Sequence, residues 1–385
     1  MNRKQFLILL VLVVVIGAAG LAVYQRNNNS WHHGGAGIGR KLLPDLPVND
    51  VVQITIQAGT NELTLARRDN LWRVHERADY PADFSQISSL LTKLADLKVV
   101  QNEDLGPSQF GRLELLPPGA AANTGTALEF KDQAGKTLGS LLLGKKHLKK
   151  PSAKSQLGGM GDEGWPDGRY LLAGAGSKSV VVVSDPLETV LPKPEQWLNK
   201  DFLNVEKPRL IAVQFPEATN SWKLTRASET NDWQLAGAKA GEKLDATKIT
   251  SVTAPFSSAS FNDVAPLAAT PAASNTVVTV ETFDGFAYTA KIGLKQDDNF
   301  PASVAVTASL PASRTPGKDE KPEDKAKLDK DFQTHQKALT DKLAKEQAFT
   351  HWLYQLPSYS LDELLKTRPQ LLVDASTNAV APAEK

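Results

Sequence analysis

The residues that come nearest to a recognised chemical pattern are GSLLLGKK at 139–146, one position short of a phosphate-binding loop. That loop needs Ser or Thr where Lys146 stands, and it must leave a strand and open a helix, so that free amide groups face the phosphate. Here Gly139 and Gly144 bracket a predicted hairpin strand, and phosphate binding is rejected. The Gly-x-Ser-x-Gly nucleophile elbow and the His-Glu-x-x-His zinc helix do not occur in the sequence. His75-Glu76 lacks its second histidine. The histidines His32, His33, His75, His147, His335 and His351 fall on a tether, strand ends and an inserted helix, with no pair at helical ligand spacing. His32 and His33 are adjacent but have no third ligand nearby, so they read as solvated linker.

Three other groupings offer chemistry of a softer kind. The loop GGMGDEGWPDG from Gly158 to Gly168 gathers Asp162, Glu163 and Asp167, oxygen ligands of the type calcium takes, but the EF-hand spacing and its bidentate Glu are missing. It reads as a solvated hairpin loop. Lys145, Lys146, Lys149, Lys150 and Lys154 could touch anionic lipid head groups or a partner, and are read as a solvated face. Trp72, Trp197 and Trp233 could stack on a sugar, yet their places in strands and at a boundary between halves favour core packing. No catalytic, cofactor-binding or metal residue is assigned, and the chain is read as a non-enzyme without a cofactor.

Composition narrows the partners. Lys and Arg (44) nearly cancel Asp and Glu (43), which argues against nucleic acid, since phosphate binding depends on clustered cations. The absence of cysteine removes disulfides, thiolate metal sites, a Cys nucleophile and a lipidated cysteine, so a lipoprotein is excluded.

The elements that would position any site begin with an apolar run, FLILLVLVVVIGAAGLAV at 6–23, free of charge and roughly 27 Å long as a helix, close to the thickness of a bilayer core. Arg3 and Lys4 precede it, so residues 1–25 are expected to form a transmembrane anchor with a short cytoplasmic N-terminus, although Arg26 weakens the charge asymmetry. A cleaved signal peptide ending near Gly17, Ala18 and Ala19 is the competing reading. Either way the bulk of the chain lies outside the cytoplasm. Residues 26–47, rich in Asn and Gly, are expected to be a flexible linker.

Beyond the linker the chain repeats itself. TNELTLAR at 60–67 matches TNSWKLTR at 219–226, each preceded by an alternating strand (VVQITI, LIAVQF) and followed by a third strand with a tryptophan (LWRV with Trp72, DWQL with Trp233). Asp83 and Asp245 are each placed to cap a helix. In the first half Ile87, Leu90, Leu91, Leu94 and Leu97 form its apolar stripe; in the second, Ile249 and Val252 continue until Pro255 stops it. Hairpins follow at 126–144 and 276–293, the second with the tight-turn pair Asp284-Gly285. Strands at 170–172 and 180–183 correspond to strands at 303–308 and 351–356. The expected fold class is therefore α+β: an N-terminal transmembrane helix, then two duplicated β-rich halves (three strands, helix, hairpin, hairpin) at 48–205 and 206–372, and a disordered tail at 373–385.

A long charged insertion at 311–348 interrupts the second half. It is expected to be an extended leg, up to about 36 Å, followed by a helix starting near Pro322, about 26 residues and roughly 39 Å long. Its apolar stripe, Leu328, Phe332, Leu339 and Leu343, is thin. A projecting arm and a helix lying on its own domain are both open.

The anchor, the stretch LWRVHERADYPADFSQISSLLTKLADLK at 71–98 and the ending HWLYQLPSYSLDELLKTRPQLL at 351–372 resemble the bacterial domain of unknown function 4340 family. These motifs are packing patterns and name no reaction. Members of that family are commonly encoded beside the ATPase, permease and auxiliary membrane protein of a gliding-type ABC transporter. The resemblance therefore implies a non-enzymatic periplasmic accessory or scaffold subunit of an inner-membrane ABC transport complex, single-pass in the bacterial inner membrane, with permease and auxiliary subunits as partners and no nucleic acid. The alternatives are a periplasmic glycan- or peptidoglycan-binding protein and, third, an envelope hydrolase assembled from scattered carboxylates.

Overall fold

The structure, a computed structural model, describes residues 38–119, 121–149, 165–174, 177, 179–267, 276–317 and 320–373. The expected anchor at 1–25, His32, His33, Lys150, Lys154 and nearly all of the tail lie outside the described residues. Among the described residues no helix is long and apolar enough to cross a membrane.

The body is β-rich α+β with two antiparallel sheets. The chain divides into two compact units, one taking the chain up to Arg67 with Phe84–Pro192, the other Arg68–Asp83 with the chain from Lys193 onward. In chain order the strands are β1 (Gln53–Ala58), β2 (Asn61–Arg68), β3 (Leu71–Val74) and β4 (Tyr80–Pro81), then helix α1 (Phe84–Asp96), then β5 (Val99–Glu103), β6 (Thr126–Lys131), β7 (Thr137–Lys149), β8 (Trp165–Ala173) and β9 (Val180–Val183). Seven of them make the sheet of the first unit in the order β2-β1-β6-β7-β8-β9-β5. Period-two alternation sets its register: Ile54 faces Leu65 and Phe130, and Ile56 faces Leu63 and Leu128, all of them buried. Helix α1 buries Ile87, Leu90, Leu91 and Leu94, the stripe read from the sequence.

The stretch expected to be linker is a pairing element at its C-terminal end. Gly39 donates to the Val99 carbonyl at 2.8 Å, Leu42 to that of Leu97 at 2.7 Å, and Val99 returns a bond to Arg40 at 3.1 Å. The Asn- and Gly-rich composition belongs to the start of the segment, while Leu42, Leu43 and Leu46 at its end are half-buried.

The second unit continues with β10 (Pro208–Gln214), β11 (Trp222–Thr225), β12 (Gln234–Leu235), α2 (Ala246–Thr250), β13 (Asp263–Pro266), β14 (Thr276–Thr282), β15 (Phe286–Ile292), β16 (Asn299–Ala308), α3 (Pro322–Gln347), β17 (Trp352–Pro357) and α4 (Ser358–Leu361). Its sheet runs β12-β11-β10-β14-β15-β16-β17-β13, so the seven strands from β11 to β13 repeat the connectivity of the first unit. In both, the strand after the helix pairs with the last strand of the set, β5 with β9 and β13 with β17. Asp245 caps α2, accepting from the amides of Thr247 at 2.9 Å and Lys248 at 3.3 Å.

Compact unit and sequence repeat do not coincide, and buried aromatic surface is the reason. The β3–β4 pair belongs to the second unit, where Tyr80 meets Trp352, Phe261 and Tyr354 edge-on at ring distances of 5.0, 5.8 and 6.4 Å. The turn between these strands is fastened to β13 by a fork: Arg77 donates from Nε and Nη2 to the two oxygens of Asp263, both at 2.7 Å. Asp263→Asn halves that fork, and urea unfolding is expected to show a loss of about 2 kcal/mol; a midpoint equal to wild type would show that the fork stabilises nothing.

Trp233 is not the core residue the repeat pattern suggests. Its strand, β12, is only two residues long. The indole is half-buried just before it, beneath the Arg226 guanidinium at 4.7 Å from the ring centre. Trp197 and Trp222 are the buried tryptophans from Lys193 onward, and the Trp222 indole donates to the Lys366 carbonyl at 2.7 Å.

Candidate functional site

The sequence places a proline at the first turn of α3 and apolar residues toward its end, and the packing follows that gradient. The first turns are exposed and are steadied by Arg314, whose guanidinium forks onto Glu320 and also reaches Asp329 at 2.7 Å. Toward the C-terminus Leu339 and Leu343 are half-buried and Glu346 is 2% exposed. The helix therefore combines both arrangements left open by its sequence, free at its start and lying on its own sheet at its end.

Beneath that end is a cleft of about 250 Å³. Glu206, Lys207, Asp284, Phe286 and Tyr288 line it from the sheet side, and His335, Leu339 and Lys342 from the helix. Lys207 and Asp284 stand 3.4 Å apart. Next to the cleft, Tyr288 donates to Glu346 at 2.8 Å, the Asn204 amide approaches the other carboxyl oxygen at 3.5 Å, and Lys342 lies 3.8 Å from that oxygen while donating to the Asn204 carbonyl. Burial is the main cause that lifts the Glu346 carboxyl above its ordinary value; Tyr288, Lys342 and Asn204 hold it back only in part. Burial, and then the Glu346 carboxylate, likewise push the Tyr288 phenol up. The group works as a latch that ties the last turns of α3 to the sheet, and it leaves His335 and Glu206 facing the cleft.

A second cleft of about 270 Å³ has a different character. It is lined by Ser257, Ser258, Ser260 and Ser360 together with Phe256 and Tyr359, hydroxyls and rings without a charge, and Tyr359 is 75% exposed.

The residues singled out in the sequence are dispersed. GSLLLGKK lies inside β7, a strand and not a loop opening a helix. His75 reaches Asp79 at 3.4 Å, and His147 on β7 is hydrogen-bonded to Asp167 on β8 at 2.6 Å. Asp167 is therefore engaged, and Trp165–Gly168 of the Gly-rich segment is strand; the rest of that segment is outside the described residues. Lys146 pairs with Glu188 at 2.6 Å. Among the described residues no group of three or more His, Asp or Glu could hold a metal ion.

Sequence reasoning missed the latch. Its one signal was spacing: Leu339, Leu343 and Glu346 fall on one helical face, so the carboxylate occupies the next position of the apolar stripe.

No curated protein and no solved structure matches the chain. A family profile described as Domain of unknown function (DUF4340) matches residues 72–277, which run from β3 to the start of β14. That match covers more than half of the sequence, and the chain belongs to this family of domains of unknown function.

Proposed function

We propose that the chain is a non-enzymatic accessory or scaffold subunit of an inner-membrane, gliding-type ABC transport complex, held by a membrane helix at 1–25 with its body on the periplasmic side. Support for the anchor comes from the charge-free apolar run after Arg3 and Lys4. The body is two duplicated copies of one β-rich unit, a reading supported by the repeated sequence motifs and the common strand order. The observation that carries the function is α3. It is latched through Glu346 at one end and exposes a charged surface at the other, the arrangement of a docking element on a rigid support.

Tagged full-length protein is expected to bring down an ATPase and a permease from detergent-solubilised membranes. Lys325→Glu with Lys330→Glu on the exposed start of α3 should lose them while the protein itself stays in the membrane fraction. Recovery of the wild-type chain without any transporter subunit would overturn the reading.

A glycan- or peptidoglycan-binding role is the second reading, favoured by the serine-and-aromatic cleft at Tyr359. Co-sedimentation with purified cell wall, abolished by Tyr359→Ala, would select it instead.

A further inference from the structure

The cleft of about 270 Å³ beside Tyr359 is built wholly within the second unit, from residues 254–260 between α2 and β13 and from the end of β17 with α4. No charged side chain lines it. A carboxylate, phosphate or ammonium entering it would give up water without gaining a counter-charge, so the walls favour an uncharged guest. The volume is below the roughly 300–1,000 Å³ of pockets that take drug-sized ligands, which leaves room for one ring and a substituent.

The turn at 254–260 is held in an uncommon shape. Phe256 is left-handed, with φ of 60°, a conformation that bulky side chains rarely take, and its carbonyl accepts from the amide of the buried Val205 at 3.0 Å. Backbone outliers of this kind gather at ligand sites. Beyond Phe256 the chain presents polar groups that the fold does not use. Among the described residues, the hydroxyls of Ser257, Ser258 and Ser260 and the amides of Ser258, Ala259 and Ser260 take part in no hydrogen bond as donors. Across the cleft Ser360 donates to the Pro357 carbonyl at 2.7 Å and keeps its oxygen lone pairs for a guest. The apolar part of the lining is Phe256 and Leu356, and the ring of Tyr359 stands largely exposed beside them.

Successive amides are donors only, so the guest that suits them carries a neutral carbonyl; an apolar wall next to them suits a methyl group, and an exposed aromatic ring suits the C–H face of a sugar. An acetamido sugar has all three. From this arrangement we infer that the cleft binds a single N-acetylated amino sugar of a glycan chain, with the acetamido carbonyl on the amides at 258–260, its methyl against Phe256 and Leu356, and the sugar ring on Tyr359. The inference rests on the glycan-binding reading and names the part of the glycan that is read.

Isothermal titration of the full-length chain, in a detergent without a sugar head group, tests this with two trisaccharides: the trimer of N-acetylglucosamine and cellotriose, which offers the same ring faces but no acetamido group. The acetylated trimer should bind, and cellotriose should bind about fivefold more weakly or worse, since it leaves the amide donors without a carbonyl. Tyr359→Ala should weaken the trimer about tenfold, while Tyr359→Trp, which keeps a stacking face, should bind it as tightly as wild type. Soluble glycan strands cut from peptidoglycan should displace the trimer; trimer binding that they leave intact upholds the sugar and moves its source away from the cell wall. No binding of the trimer, or equal binding of cellotriose, overturns the inference. If the chain then still sediments with purified cell wall and loses that with Tyr359→Ala, the glycan-binding reading survives and the group recognised is a different one. An inorganic phosphate titration that gives the tighter binding would also overturn the inference, by making the free amides an anion site.

Discussion

Gly144→Ala is expected to lower the stability of the first unit by about 3 kcal/mol, and Gly139→Ala, in the same strand, to change it by less than about 1 kcal/mol. A Cβ at position 144 would stand 2.3 Å from the Leu113 carbonyl oxygen and 2.7 and 2.8 Å from Leu115 Cδ2 and Cγ. The first is main chain, and Leu115 is a core residue packed with Leu172 and Val180, so neither can yield cheaply. At position 139 the Cβ would meet Leu46 Cδ1 at 3.5 Å and Phe130 Cδ2 at 3.7 Å, ordinary van der Waals contact. Urea denaturation of the two variants separates them. The result bears on chemistry as well as packing, because these are the two glycines that imitate a phosphate loop. A close approach of the chain gives Gly144 a packing reason to be glycine, without any ligand. Equal losses at both positions would mean that some property of the whole segment, and not this single approach, requires glycine.

What was legible in the sequence was whatever local periodicity encodes. Alternation in VVQITI and TVVTVE gave strands whose buried faces are those observed, and the Pro322 start gave the inserted helix. The capping carboxylate of Asp245 needs nothing beyond its own next three residues. Periodicity names the face a residue turns inward but not the surface it meets. The β3–β4 pair, recognisable as strands, gave no sign that Tyr80 would pack beside Tyr354 or that Arg77 would find Asp263, 186 residues away. The Trp233 position failed for a related reason. The repeat aligned it with Trp72, but its own strand shrank to two residues and left the ring only half-buried. The clefts were invisible because their walls come from distant parts of the chain, Glu206 and Tyr288 against Lys342 in one, Ser257 against Tyr359 in the other.

The matching strand orders also explain how one unit could take up a long helix without losing its sheet. In the first unit β8 and β9 are neighbours, and in the second β16 and β17 are neighbours in the same places, with α3 spliced into the connection between them. A connection at the end of two paired strands accepts added length at low entropic cost, since loop closure grows only slowly with the number of residues. The inserted helix then needs its own attachment, or it would move freely about its two ends. The contacts at its end supply one, with Phe349 buried just after the helix and Glu346 in its last turn.

The strength of that attachment depends on the charge of Glu346, and this gives the second large effect. Glu346→Ala removes the acceptor for the Tyr288 hydroxyl and the counter-charge nearest Lys342, and should cost about 2–3 kcal/mol. Glu346→Gln keeps an acceptor for Tyr288 and removes the charge. Burial raises the carboxyl of the folded chain above the ordinary value of 4.5, so the folded state holds this proton more tightly than the unfolded state does. The stabilisation from that proton is complete below the unfolded value and is lost as pH rises through the raised folded value. Subtracting the stability profile of Glu346→Gln from that of wild type should therefore give a difference that falls across that window and is flat above it. At neutral pH the Gln variant should be at least as stable as wild type, because the cost of burying a carboxylate is gone. Hydrogen exchange over the last turns of α3 should quicken in the Ala variant alone. If the Gln variant loses as much stability as Ala, the negative charge itself holds the helix through Lys342, and the latch is an ion pair instead of a buried acceptor for a phenol.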